Sequence, residues 1–193
     1  MLFKTKLPCT VEYEKNNGKL IRPENEINSG CFNMGQDNMK KAKPTKVMAL
    51  YNKVTRFPFG DKIFSKMVSR MAPYFSTIKP LITVLKPNYC ECFIKKRNRV
   101  HNHIKTVHVI AIANGLEMAM GVMAEASIPK HLRWIPKGMS LDYTAKAGSD
   151  IRCVAQVSPE QWKIGDLLVE VTAYDSNDVV VVKGHIKLWI SEK

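Results

Sequence analysis

One stretch of the chain constrains its fold more than any other. Residues 107–124 read VHVIAIANGLEMAMGVMA, and Glu117 is the only acidic side chain among them. Length and composition predict a helix that is apolar on most sides and therefore broadly covered. An unpaired, buried carboxylate is costly, so such a group is usually paired, protonated or functional. Glu117 is thus the first candidate site residue, with a structural ion pair as the alternative interpretation.

The same stretch is near the length of a membrane span, but His108, Asn114 and Glu117 interrupt it. The N-terminus also lacks the continuous apolar segment of a signal peptide. Five cysteines without a CxxC pair argue against a disulfide framework and a structural zinc site. We therefore expect a cytoplasmic protein that does not insert into a membrane and binds no metal.

The formal net charge of +13 invites an anionic partner. A nucleic acid, a membrane surface and a phosphate-bearing small molecule are all compatible with it. Aromatic residues make up only 8% of the chain and are not interleaved with the basic runs, which disfavours nucleic acid. A phosphate-bearing small molecule is the preferred expectation, and no nucleic-acid partner is predicted.

The N-terminal part differs in composition from the rest. Residues 1–47 are rich in Asn, Lys, Glu and Gly and have few periodic apolar positions. This composition predicts a basic, loosely ordered N-terminal extension. A single domain is expected over residues 48–193.

Within that domain, the patterns predict two short helices, two strands, the long helix and then three or four strands. The helices fall near residues 48–57 and 61–71, the second with Asp61 as its cap. The first strands are LITVLKP and YCECFIKKR, the second with Cys90, Cys92 and Ile94 on its core face. The later strands are MSLDYTAKA, IRCVAQV, LLVEVTAYD and VVVVKGHIKLWIS. Neighbouring strands with tight turns favour a curved antiparallel sheet wrapped around the helix, an α+β fold.

The segment NHIKTVHVIAIANGLEMAMG, residues 102–121, resembles the PaaI-like acyl-CoA thioesterases of the hotdog fold. The family pattern has an Asn, a His six residues later and an acid nine residues beyond the His. Asn102, His108 and Glu117 have this spacing. The resemblance implies a hotdog fold over about residues 48–190 and a site at a two-fold interface. It also implies a coenzyme A thioester as substrate, with no separate cofactor.

Thioester hydrolysis needs an activated water or nucleophile and a donor for the developing oxyanion. We expect the Val109 N–H, in the first turn of the helix, to be that donor. Glu117 would act as general base or as nucleophile, and Asn102 and His108 would position the water or the carbonyl. The candidate substrate-binding residues are Lys105, Thr106, Asn114 and Lys137.

Glu117 lies eight residues beyond Val109, or ~12 Å along one helix at about 1.5 Å per residue. That distance is too long for both groups to act on one thioester. A site shared between subunits resolves it, so a homodimer or homotetramer is expected.

The chain departs from the family at three positions. Val109 and Ile110 replace a Gly-Gly pair, and Lys105 replaces a common glycine. These departures motivate the alternative of a non-catalytic hotdog protein that binds acyl-CoA or lipid. A carrier-protein thioester is equally compatible with the pattern, and the acyl group stays open.

Overall fold

A computed structural model describes the backbone of residues 14–16 and 19–21 and the whole of residues 44–193. The chain divides into two compact units, and the first is Met1–Ala42. Its described strands are β1 (Glu14–Asn16) and β2 (Lys19–Ile21), which pair antiparallel. The second unit spans Lys43–Lys193. Most of the predicted extension at residues 1–47 lies outside the described residues, and its predicted boundary falls within the first helix.

Two short helices open the second unit. Helix α1 (Lys46–Val54) is capped by Thr45, whose hydroxyl accepts a hydrogen bond from Met48 N at 3.2 Å. Helix α2 (Gly60–Met71) follows so closely that a Cβ on Gly60 would lie 2.1 Å from Val54 O, which only glycine avoids. Asp61 lies in the first turn of α2 and is not its N-cap, because Phe59 occupies that position. A 3-10 helix at Pro73–Ile78 leads into the sheet.

Six antiparallel strands form the sheet in the order β3-β4-β6-β7-β8-β5. Their bounds are β3 (Leu81–Lys86), β4 (Tyr89–Ile94), β5 (Leu132–Tyr143), β6 (Ile151–Gln156), β7 (Gly165–Tyr174) and β8 (Val180–Glu192). Burial alternates along β4, where Cys90, Cys92 and Ile94 are fully buried as predicted. Strands β7 and β8 form the predicted hairpin.

The long helix α3 (Val109–Ser127) packs on one face of this sheet. Gly115 allows the closest approach, because a Cβ there would lie 2.5 Å from Ile94 Cδ1 and 2.9 Å from Cys153 Sγ. Although α3 is long and apolar enough to span a membrane, 61% of its most apolar window is buried, as expected of a core helix. The predicted α+β hotdog architecture is confirmed, with one central helix against an antiparallel sheet.

Two further details differ from the sequence-based expectation. Strand β5 begins at Leu132, seven residues before the predicted Met139. Glu117 is exposed in the single chain and is not buried, because the sheet, α1 and the 3-10 helix cover the other sides of α3 and leave one stripe open. That stripe contains Ile110, Ala113, Glu117 and Gly121, which are half-buried or exposed.

Candidate active site

Asn102 shapes the loop that precedes α3. Its Oδ1 accepts hydrogen bonds from the backbone N–H groups of Ile104 and Thr106, both at 3.1 Å. Its Nδ2 donates to Thr106 Oγ1 at 2.7 Å, and Thr106 is buried. The amide is therefore occupied mainly with holding the loop, and one N–H of Nδ2 remains for a ligand.

Lys105 stands at the tip of this loop with a φ of 61°, in the left-handed region. Glycine adopts this conformation without steric cost, whereas a residue with a Cβ does not. The backbone thus has a conformation that suits glycine, although the side chain is a lysine. That side chain is exposed.

His108 caps helix α3. Its Nδ1 accepts a hydrogen bond from Ile110 N at 3.1 Å, and its carbonyl accepts from Ala111 N and Ile112 N. An imidazole that accepts at Nδ1 carries its proton at Nε2 when neutral, so Nε2–H is the group left to donate. Within residues 44–193, the Val109 N–H finds no acceptor. The helix start therefore offers one free backbone donor, at the end where the helix dipole is positive.

A pocket of about 320 Å³ opens at this helix start. One side is polar, formed by Asn102, Thr106 and His108. The remaining wall is largely apolar and includes Val107, Val109, Ile112, Tyr143, Val181 and Val182. A polar end beside a free N–H and an apolar wall suits a molecule with a carbonyl and a hydrocarbon portion.

The Glu117 carboxylate is available for chemistry. No hydrogen bond or ion pair within residues 44–193 engages it. It projects from the open stripe of α3 and does not line the pocket at its own helix start. Within one chain, the structure brings together Asn102, Thr106, His108 and Val109, but it does not bring Glu117 to them.

Asn114 lies in a second, smaller pocket of about 220 Å³ on the other side of His108. Its Nδ2 donates to Thr77 Oγ1 at 3.2 Å, while its buried Oδ1 has no partner among the described residues. His101 lines the same pocket, and its buried Nε2 also lacks a partner there. His101 adjoins Asn102 in the chain but was not predicted as a site residue. Both buried polar groups are available to a ligand.

Lys137 lies apart from the other predicted residues of its own chain. Its Nζ sits 4.5 Å from the centre of the Trp189 ring and 3.5 Å from Asp166 Oδ1. Trp189 is exposed between the buried Leu188 and Ile190, so Lys137 is on the face of the sheet opposite α3.

Two other basic side chains stand at the pockets. Lys146 lines the first pocket, and Arg99 lines the second.

Cysteine is not available as the nucleophile in the described part of the chain. Cys90, Cys92 and Cys153 are free and buried. Burial raises the pKa of the Cys92 thiol to about 12 and also raises the pKa of Cys90 and Cys153. A thiol that stays protonated is a poor nucleophile.

Among the described residues, no group of three or more His, Cys, Asp or Glu side chains could hold a metal ion.

Residues 60–190 match a family described as Domain of unknown function (DUF4442). The chain belongs to the DUF4442 family. The crystal structure of the genomics protein APC5556 is 40% identical to this DUF4442 chain, with a TM-score of 0.68 over 76% of this chain and 99% of that one. No curated protein matches the sequence.

More distant structures share the fold of the DUF4442 domain. PA5026 from Pseudomonas aeruginosa, a probable thioesterase, is 18% identical, with a TM-score of 0.62 over 71% of this chain and 97% of its own. A thioesterase family protein from Silicibacter pomeroyi is 14% identical, with a TM-score of 0.58 over 70% of this chain and 100% of its own. The DUF4442 domain therefore has the thioesterase-like hotdog fold.

Proposed function

We propose that this DUF4442 protein hydrolyses an acyl-CoA or acyl-carrier thioester at a site shared between two copies of the chain. One observation carries the proposal. The helix start offers a free Val109 N–H beside a pocket, and the unpaired Glu117 carboxylate is exposed on the same helix.

The Val109 N–H is the proposed oxyanion donor. As water adds to the thioester carbonyl, negative charge develops on the carbonyl oxygen. A fixed N–H at a helix start stabilises that charge without reorganising. Neighbouring N–H groups are already engaged, since His108 accepts the hydrogen bonds of Ile110, Ala111 and Ile112.

Glu117 is the proposed general base. It removes a proton from water, the water oxygen bonds to the carbonyl carbon, and the carbon–sulfur bond then breaks to release the thiol and the acid. Direct attack by the carboxylate on the carbonyl carbon would instead break the carbon–sulfur bond, release the thiolate and form an anhydride, which water then cleaves to give the acid and regenerate Glu117. Both routes need Glu117 ionised and close to the carbonyl.

The helix geometry specifies how two copies would assemble. Because Val109 and Glu117 are ~12 Å apart along α3, they meet only if a second α3 runs antiparallel beside the first. Their midpoint is Ala113, so a two-fold axis near Ala113 would bring Glu117 opposite Val109 of the partner subunit. Ala113, the residue at the proposed axis, is a small residue of the open stripe and permits close helix approach.

Strand β5 supports the same assembly. It is a twelve-residue edge strand that pairs only with β8 among the described strands. Ile135, Met139 and Tyr143 are exposed along it. A long, apolar, unpaired edge favours pairing with another chain. Joining two β5 edges would create one continuous sheet and place both α3 helices on the same side.

The basic side chains at the two pockets match the phosphates of coenzyme A. Lys146 and Arg99 stand at the first and second pockets, and ammonium and guanidinium groups bind phosphates. The chain's +13 charge has the same sign. Lys137 could serve a substrate only from the opposite face of the sheet.

A matched pair of variants tests the function. The variant Glu117→Gln should lower kcat/KM on an acyl-CoA panel by about 10²–10⁴-fold, the range of a lost general base. Because the Glu117 side chain is exposed and unpaired, stability should stay within about 0.5 kcal/mol. The control is Glu125→Gln on the same helix, whose carboxylate accepts a hydrogen bond from Trp134 Nε1.

Equal activity of the two variants would refute the role of Glu117. Tight acyl-CoA binding without turnover by the wild type would instead favour the non-catalytic binding protein, which the bulky Val109 and Ile110 motivate.

A further inference from the structure

Helix α2 exposes a continuous apolar stripe to solvent. Phe59, Ile63, Met67 and Met71 follow one another at four-residue spacing, and their exposed fractions are 68%, 48%, 38% and 86%. Residues four apart lie on one face of a helix. Phe57 and Tyr74, at 65% and 69%, extend the same apolar surface beyond the helix ends. We call these six residues the α2 stripe.

The opposite face of α2 is anchored in the domain. Phe64 is fully buried, and the hydroxyl of the buried Ser65 accepts a hydrogen bond from Ile82 N at 2.7 Å. Phe64 also packs edge-on against Tyr51, with ring centres 5.1 Å apart. The helix is therefore fixed without the α2 stripe, and exposure of the stripe is not explained by the domain's own packing.

A row of basic residues runs beside the stripe. Lys62, Lys66 and Arg70 each precede an exposed apolar residue by one position, so they form a parallel row on the exposed side. Residues 44–90 contain eight basic side chains and one acidic side chain, Asp61, a net +7 of the chain's +13. The part of the chain that contains α2 is therefore strongly basic.

Phe59 adds a conformational cost. It adopts a φ of 62°, where a bulky side chain is strained, and it makes no side-chain capping bond to α2. The chain thus holds a largely exposed aromatic ring, with the Lys62 ammonium 4.9 Å from its centre, at a position where glycine or asparagine would be more stable. Such strain is typical of positions retained for function.

We propose that α2 docks this protein onto an anionic lipid surface, with the α2 stripe entering the headgroup boundary and the basic row contacting lipid phosphates. An amphipathic helix with a basic polar face has this behaviour. With twelve residues, α2 is ~18 Å long, too short to span the ~30 Å hydrocarbon core, so it lies in the surface plane.

The charge pattern favours lipid over the other occupants. In a symmetric pair of copies meeting at α2, the basic row of one copy would lie beside the basic row of the other, and like charges repel. A nucleic acid would use the basic row but gain nothing from Ile63 and Met67. Tyr74 also lines the pocket that contains His101, so docking would bring that pocket near the lipid surface.

Co-sedimentation of the full chain with vesicles tests the proposal. The wild type should bind vesicles of phosphatidylcholine and phosphatidylserine at 70:30, and bind pure phosphatidylcholine much more weakly. Replacing Lys62, Lys66 and Arg70 by Gln should weaken binding on the order of 100-fold, since each basic residue at the surface contributes about 1 kcal/mol. Replacing Lys163, Lys183 and Lys193 by Gln removes the same charge elsewhere and should have little effect.

The variant Phe59→Asn removes one apolar anchor and should weaken binding about tenfold or more. Asn tolerates the left-handed conformation, so loss of binding cannot be ascribed to unfolding. The proposal would be overturned if the wild type bound both vesicle types equally or if the two triple variants had equal effects. It would also be overturned if Phe59→Asn changed only the oligomeric state. Hydrolysis of a soluble short-chain acyl-CoA, measured in parallel, should be unchanged by these variants, which separates this proposal from the proposed activity.

Discussion

At the scale of single residues, the proposed activity depends on one backbone hydrogen. Val109 is the first residue of α3, where proline is favoured because the N–H there has no helical partner. His108 already has the extended conformation that precedes proline, with φ −65° and ψ 134°. The variant Val109→Pro therefore removes the oxyanion donor and should leave the helix intact.

We expect Val109→Pro to lower kcat by about 10²–10³-fold, as loss of an oxyanion donor does elsewhere. Val109→Ala is the control, since it shortens the side chain and keeps the N–H. Steady-state kinetics together with circular dichroism make the comparison. Full activity in the proline variant would remove Val109 N–H from the mechanism.

Variants at Lys105 test the backbone conformation of the loop independently of the proposed reaction. Its φ of 61° is costly for any residue with a Cβ, by about 1–2 kcal/mol, and glycine avoids that cost while losing some chain entropy. Lys105→Gly should exceed Lys105→Ala in free energy of unfolding by about 0.5–1 kcal/mol. Both variants lose the charge, so only the backbone differs between them. Urea denaturation measures the difference, and equal stability would contradict the left-handed conformation.

At the scale of elements, packing of α3 on the sheet depends on Gly115. A Cβ there would press on Ile94 and Cys153, which are both fully buried. Gly115→Ala should therefore lower the free energy of unfolding by about 1–2 kcal/mol, although alanine has a better helix propensity than glycine. At Gly121 a Cβ would lie 3.6 Å from Trp134, an ordinary contact. Gly121→Ala should therefore be neutral or stabilising by up to about 1 kcal/mol. Denaturant unfolding of the two variants should rank them in this order, and the reverse order would place α3 differently on the sheet.

The elements were largely predictable because their patterns are periodic. The inward face of β4 and the extent of α3 follow from spacing alone. The start of β5 does not, because Pro136 and Gly138 interrupt the alternation before Met139. An edge strand tolerates such residues, and a register shift occurs there in the pairing with β8. Sequence spacing could not show that β5 is an edge strand.

The site was predictable only in part. The spacing of Asn102, His108 and Glu117 predicted the loop and helix of the proposed site, and the cap at His108 follows from its place at the helix start. The exposure of Glu117 was not predictable, because the residues around it are apolar on nearly every side. Which stripe of such a helix stays open depends on how the sheet wraps it. His101 was also missed, since its burial depends on contacts with residues distant in sequence.

At the scale of the whole molecule, the proposed active site requires two chains. Glu117 and Val109 of one chain are too far apart to share a carbonyl, so in the proposed mechanism each site combines Glu117 from one subunit with Val109 from the other. The variants Glu117→Gln and Val109→Pro should each be inactive alone. In a heterodimer of the two, one site would contain both wild-type groups and the other would contain neither.

The activity of that heterodimer shows directly whether one site combines groups from two subunits. The two variants are co-expressed with different affinity tags, and the mixed species is isolated by purification on both tags. A site shared across the two-fold axis predicts about half of the wild-type activity per dimer, because one of two sites is intact. A heterodimer as inactive as either parent would contradict the shared site.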